Sequence, residues 1–182
     1  MENVGAWYAL RVKPNWEKRV AEQLCWKGYE GFLPTYRVRR RWSDRWKELD
    51  VPLFPGYVFC RLSPHHQTRA VQTAGVILMV GFGGKPAPVR DEEIAALQRI
   101  VASGFEVGPW PYLQVGRRVR IEDGPLAGVE GILLEIRPRN KLVVSVTLLQ
   151  RSVAVEVDGC RVLPVWQSPH AFTRSEDRVV VA

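Results

Sequence analysis

The sequence predicts an α+β unit, an antiparallel sheet with three helices, followed by a small all-β barrel. Three observations carry that reading. Over residues 1–105, segments of strand and helix character follow in the order strand, helix, strand, strand, helix, strand, helix. Residues 106–113 (EVGPWPYL) then interrupt the pattern with prolines and a glycine and read as a linker. Beyond them the alternation is wholly of strand type. Leu142, Val144, Val146 and Leu148 interleave with Val143, Ser145, Thr147 and Leu149, and Val153, Val155 and Val157 interleave with Ala154, Glu156 and Asp158. Short strands of this kind gain most by closing on themselves, which removes exposed edges. The barrel is expected over residues 114–165, with a loosely ordered tail over 166–182.

Each element has a local cause. Residues 6–12 (AWYALRV) read as a buried strand that Pro14 breaks. Asn15 is placed to cap a helix reaching about Lys27, with Trp16, Val20 and Leu24 on one stripe and Gly28 as its stop. Two strands follow over 29–42 and 46–62, joined by a turn at Ser43-Asp44-Arg45. Ser63-Pro64 is a cap with proline at the first helical position, and Gly75 closes that helix. Residues 76–82 form an apolar strand and GGKPAP a loop. Asp91 starts the last helix, whose apolar positions are Ile94, Leu97, Val101 and Phe105.

Composition bounds the class. With 46% hydrophobic and 25% charged residues this is an ordinary folded chain, and a net charge of +7 favours an anionic partner. Cys25, Cys60 and Cys160 are odd in number and far apart, which excludes a disulfide framework and suits a reducing cytoplasm. No stretch approaches the ~20 apolar residues that span a bilayer. His65 and His66 are adjacent and lack a third ligand nearby, so no metal site is expected. No nucleophile elbow, phosphate loop or paired-carboxylate spacing is present, so neither an enzyme nor a cofactor is expected, and nothing demands more than a monomer.

The sharpest charge feature is Arg37, Arg39, Arg40, Arg41, Arg45 and Lys47, six cations against the single acid Asp44 over residues 37–47. In a hairpin, Arg37, Arg39 and Arg41 share one face, Arg40 and Trp42 the other, and Trp42 and Trp46 flank the turn. Cations interleaved with indoles suit a single-stranded nucleic acid, whose phosphates pair with the charges while its bases stack. A solvated hairpin with a cross-strand tryptophan pair is the structural alternative. The second feature is PLFPGYVFCRL, residues 52–62. Phe54, Tyr57 and Phe59 are expected not to share one side of a sheet, so at least one belongs either to a surface patch or to a strand covered on both faces. The third is VGRRVRIEDGPLAGVEGILLEI, residues 115–136, where Asp123-Gly124 supports a tight turn and Gly128 and Gly131 allow close packing.

These segments, in this order, resemble the NusG family of transcription elongation factors: an N-terminal domain of the NGN type, then a KOW domain. The resemblance implies that the first domain binds the clamp of RNA polymerase through Phe54, Tyr57 and Phe59, with Trp7 and Tyr8 matching the family's first strand. It implies non-template single-stranded DNA as the partner of the basic segment. His66-Gln67-Thr68 partly matches a His-Thr-Thr run with which a specialised paralog touches the opposite pincer of polymerase, which assigns His66 and Thr68 to that contact. Leu148, Leu149 and Arg151 match the barrel turn through which relatives reach termination factor Rho or a small-subunit ribosomal protein. Leu149 stands where housekeeping members commonly carry an aromatic, and residues 32–59 look like antiterminators of the RfaH, UpxY and LoaP kind. A specialised paralog is therefore expected. A housekeeping factor coupling polymerase to Rho or the ribosome, and an RNA-binding or ribosome-associated KOW protein, are the alternatives. Residues 143–157 alternate too cleanly, with too many β-branched side chains, to refold as a helical hairpin.

Overall fold

A computed structural model describes residues 5–42, 45–110, 117–136, 139–157 and 162–165. The expected tail (166–182), the hairpin turn at Ser43-Asp44, residues 111–113 of the linker, Asp158 and Cys160 lie outside the described residues.

The N-terminal sheet is centred on β1 (Ala6–Val12), which is apolar on both faces because helices cover both. Helix α1 (Glu17–Trp26) leads to β2 (Glu30–Phe32), then to β3 (Thr35–Trp42), β4 (Arg45–Pro52) and β5 (Tyr57–Leu62). After a 3-10 turn at Pro64–His66 come α2 (Gln67–Val71), β6 (Val76–Met79), the two-residue strands β7 (Gly81–Phe82), β8 (Lys85–Pro86) and β9 (Pro88–Val89), and α3 (Asp91–Ala102). The sheet runs in the order β2-β5-β1-β6, with β9 also pairing β1, and every pairing is antiparallel. Tyr8, Leu10, Val12, Val58, Cys60 and Leu62 pack on one face against Val20 and Leu24 of α1 and Ala70 of α2. Trp7, Ala9 and Phe59 face the other way, toward Ile94, Leu97 and Ile100 of α3.

Several boundaries differ from expectation, each for a local reason. Asn15 takes φ 63, a left-handed conformation that an N-cap does not adopt, so α1 starts one residue later than expected, with Trp16 as its cap residue. Pro34 separates β2 from β3, and Pro55-Gly56 separates β4 from β5. The second helix stops at Val71, before Gly75, and α3 ends at Ala102, so Phe105 packs on the core from beyond the helix. The GGKPAP segment is not a plain loop: β7 and β8 form a hairpin around Gly83-Gly84.

The C-terminal sheet has six strands in the order β10-β14-β13-β12-β11-β15. They are β10 (Val107–Trp110), β11 (Arg117–Ile121), β12 (Glu130–Ile136), β13 (Arg139–Val146), β14 (Arg151–Glu156) and β15 (Val162–Pro164). Strand β10 falls in the expected linker. It reads poorly because Pro109 occupies it, but an edge strand tolerates proline. Gly131 is packed so tightly that a Cβ there would lie 2.5 Å from the carbonyl oxygen of Val143, and Gly124 turns the chain with φ 78. The end strands β10 and β15 do not pair with each other among the described residues, so the expected closed barrel is an open antiparallel path here. Among the described residues no helix is long and apolar enough to cross a membrane, and none of their side chains cluster as a metal site.

Candidate functional site

The aromatic segment is arranged differently from expectation. Tyr57 and Phe59 are two residues apart on β5 and so point the same way, while Phe54 lies in the turn before the strand and escapes the alternation. All three join one cluster. Phe54 and Phe59 meet edge to face at 5.7 Å, both fully buried, and Tyr57 is half-buried at the margin. None forms an exposed patch. The turn that aims them is held from below, where the buried Glu17 carboxylate of α1 accepts the Gly56 amide at 2.9 Å. Trp7 belongs to this same face, 6.4 Å from Phe32. Tyr8 lies on the opposite face among the residues under α1, so Trp7 and Tyr8 do not form one surface.

The basic segment is the β3–β4 hairpin, and its register adds what the charge run concealed. Arg37 stands opposite Asp50 and Arg39 opposite Glu48, with ion-pair distances of 4.0 and 3.9 Å. Both pairs are solvated and contribute little stability, but they offset the charge near the base of the ribbon. The excess cation is therefore at the tip, where Arg40 is the register partner of Lys47, Arg41 of Trp46 and Arg45 of Trp42. Like charges directly opposite each other destabilise a hairpin, and a polyanion relieves that cost. Trp46 is 61% exposed, with the Arg39 guanidinium 5.8 Å from its ring centre. The side chain of Trp42 lies outside the described residues.

His66 and Thr68 are both exposed but face different surroundings. The His66 ring stands 5.5 Å from Tyr29, with Nδ1 3.2 Å from the Ser63 hydroxyl, whereas Thr68 lines a hollow with Met79 and Pro86. The structure does not bring them into one site.

Leu148 and Leu149 close a 3-10 turn (Thr147–Leu149) between β13 and β14, and Gln150 leaves it with φ 49. Both leucines pack on the large core that the aromatic residues share with α3 and the C-terminal strands, and Arg151 lies 5.1 Å over the Tyr57 ring. Thus two sets of residues with separate expected partners join one core, and Arg151 of one meets Tyr57 of the other. What fastens them is invisible in the sequence. Glu93, in the first turn of α3, is 7% exposed, and its Oε1 accepts from the Thr147 amide at 3.3 Å and the Thr147 hydroxyl at 2.8 Å. Arg90 Nε donates to the same oxygen at 3.1 Å and neutralises it. Arg99 adds a bond to the Ala127 carbonyl at 3.1 Å. Nothing in the local pattern of Glu93 signals a partner 54 residues away. The acids facing Arg37 and Arg39, by contrast, follow from counting outward from the hairpin turn.

With this geometry in hand, comparison with known proteins is specific. A family model described as transcription termination factor nusG matches residues 5–98. The chain is 28% identical over 170 residues to the transcription termination/antitermination protein NusG of Pseudomonas aeruginosa, covering 86% of this chain and 96% of that one. The Escherichia coli K12 protein of the same name is 28% identical over 172 residues, with coverage of 86% and 94%. A solved structure described as "Domain interaction in Thermotoga maritima NusG" matches with a TM-score of 0.50 and 25% identity over 82% of this chain and 92% of that chain.

Proposed function

This chain belongs to the NusG family of transcription termination and antitermination factors, and from that premise we propose that it binds the RNA polymerase clamp and the non-template strand to suppress pausing or termination. The observation that carries the reading is the aromatic cluster of Phe54, Tyr57 and Phe59, continuous with Trp7, α3 and the C-terminal strands, with Arg151 of the C-terminal turn lying over Tyr57. An apolar face of this kind, covered by a separate sheet of the same chain, has the character of a docking surface. Residues 1–105 are the polymerase-binding domain in this reading, and residues 114–165 are a KOW module. Clamp binding requires the C-terminal turn to withdraw, which leaves Leu148, Leu149 and Arg151 to meet a second protein. Rho and a small-subunit ribosomal protein are the two candidates. A ligand that holds one clamp conformation shifts polymerase toward it, and a closed clamp disfavours the paused state. The hairpin tip, with Arg40, Arg41, Arg45, Lys47 and Trp46, holds the displaced strand. Leu149 in place of an aromatic favours a specialised antiterminator over a housekeeping factor.

The test is a gel shift of reconstituted bacterial elongation complexes with the intact protein and with Tyr57→Ala. A shift by the intact protein that the variant loses is the expected result. Absence of any shift by the intact protein, across varied non-template sequences, overturns the polymerase contact.

A further inference from the structure

A cationic cavity lies away from both the aromatic face and the hairpin, where the end of α1 meets the end of β5 and the 3-10 turn that follows it. Its volume is 350 Å³, and its lining includes Lys27, Tyr29, Glu30, Arg61, His66 and Arg69. Two of the cations are held in place by other bonds. Lys27 Nζ donates to the Thr73 hydroxyl at 2.7 Å and the Arg69 carbonyl at 3.4 Å. Arg61 Nε donates to the Gly5 carbonyl at 2.8 Å, and its guanidinium meets Glu30 at 3.7 Å and Asp91 at 3.8 Å. Glu30 is the single carboxylate lining the cavity among the described residues, and Arg61 already engages it. Arg69 is exposed and has no ion-pair partner among the described residues. Ser63 holds one His66 ring nitrogen and leaves Nε2 as the second. The Tyr29 hydroxyl is buried with no hydrogen-bond partner.

Lys27 and Arg61 are fixed by these bonds, and with the exposed Arg69 they leave positive charge in excess of the two carboxylates that Arg61 meets, so an anion finds partners largely in place and loses little freedom on binding. A guanidinium fork and an ammonium match the oxygens of a phosphate in geometry and charge. The polar rim does not suit an apolar small molecule. Next to Lys27 in the chain, Trp26 ends α1 with its side chain 83% exposed, a platform on which a base can stack. We propose that this cavity binds a phosphate group, presented by a single-stranded nucleic acid or by a free nucleotide. The site is separate from the hairpin tip and from the aromatic face, and shares only His66 with the residues matched to the opposite pincer of polymerase.

The experiment follows the His66 imidazole signals of the full chain by NMR, a readout local to the cavity, with Trp46→Ala as background to weaken strand binding at the hairpin. The probes are inorganic phosphate, adenosine monophosphate and a thymidine octamer, each against chloride at equal ionic strength. A saturable His66 shift is expected, weakened about tenfold or more by Arg69→Ala, an exposed residue whose loss leaves the fold intact. Shifts with the octamer that Trp26→Ala weakens, while inorganic phosphate binding is unchanged, identify a nucleic-acid strand as the source. Shifts with phosphate and the mononucleotide but not the octamer identify a free nucleotide. No His66 shift with any probe, or a shift of equal affinity in Arg69→Ala, overturns the proposal.

Discussion

The arginine-rich hairpin and the contact between the aromatic strand and the C-terminal turn both combine aromatic rings with charged side chains, and they use them in opposite ways. In the hairpin every pairing is local, between strands that are neighbours in sequence, and Trp46 stays 61% exposed. At the contact, Phe54 and Phe59 are at most 1% exposed, and the bond that closes it joins residues 54 apart. A ribbon built from local pairs can project its charge to a ligand at little cost to the fold. A surface closed by long-range bonds holds its apolar groups inside until something competes for them.

The largest effect should come from deleting an aromatic ring in the second region. Phe59→Ala is expected to cost about 3–5 kcal/mol, because it opens a cavity in a core shared by the N-terminal sheet, α3 and the C-terminal strands. Urea denaturation measures this, and a loss below about 1 kcal/mol would mean that the site collapses freely or that the shared core is loose. Next is the fastening itself. Glu93→Ala leaves the Thr147 amide and hydroxyl without their acceptor, at a cost of about 1–3 kcal/mol. Amide hydrogen exchange over residues 147–151 should rise about tenfold to a hundredfold, while β1 and β5 keep their protection. Unchanged exchange in the turn would break the comparison, since the contact would then need no latch.

The same ring deletion in the hairpin should read out in binding instead. Trp46→Ala is expected to change folding stability by less than about 0.5 kcal/mol. Its affinity for single-stranded DNA should fall by about 1–3 kcal/mol, the value of one stacked base, with a matching gel-shift midpoint. A variant that loses stability but not DNA affinity would assign Trp46 to structure and remove the contrast between the regions.

Which parts were legible follows the same division. Asp91 as the start of α3, the faces of the hairpin and most of the alternating C-terminal strands depend on residues close in sequence, and the structure places them where periodicity does, except that the alternation expected through Thr147–Leu149 gives way to a 3-10 turn. What could not be read depends on distant partners. Strand β10 is defined by β14, whose Val155 pairs with Val107 across the sheet, and no local pattern reveals a strand in VGPW. The shared side of Phe54 and Tyr57 depends on the Pro55-Gly56 turn, which takes Phe54 off the pleat. The Glu93–Thr147 bond has no signature beyond an acid in a helix's first turn, where any acid is favourable.

The smallest effect tests whether the two faces of the N-terminal sheet are independent. Cys60 lies on β5 between Phe59 and Arg61 and points away from the aromatic face, beneath α1. Burial above all, with lesser contributions from Cys25 and Glu30, pushes its thiol from 9.0 up to about 12. Since the folded value lies above the unfolded one, the neutral thiol favours the fold fully below about pH 9, and that contribution is lost as pH rises toward 12. At about pH 8, iodoacetamide followed by peptide mass mapping should label the exposed Cys25 and leave Cys60 untouched. The informative version repeats this labelling on Glu93→Ala. Releasing the C-terminal turn uncovers the Tyr57 side of β5, but the Cys60 side is sealed by Val20 and Leu24 of α1 and does not depend on that turn. Cys60 should therefore stay unlabelled in the variant. Labelling there would mean that the sheet opens as a whole when the contact is released, and that the two regions share one unfolding event.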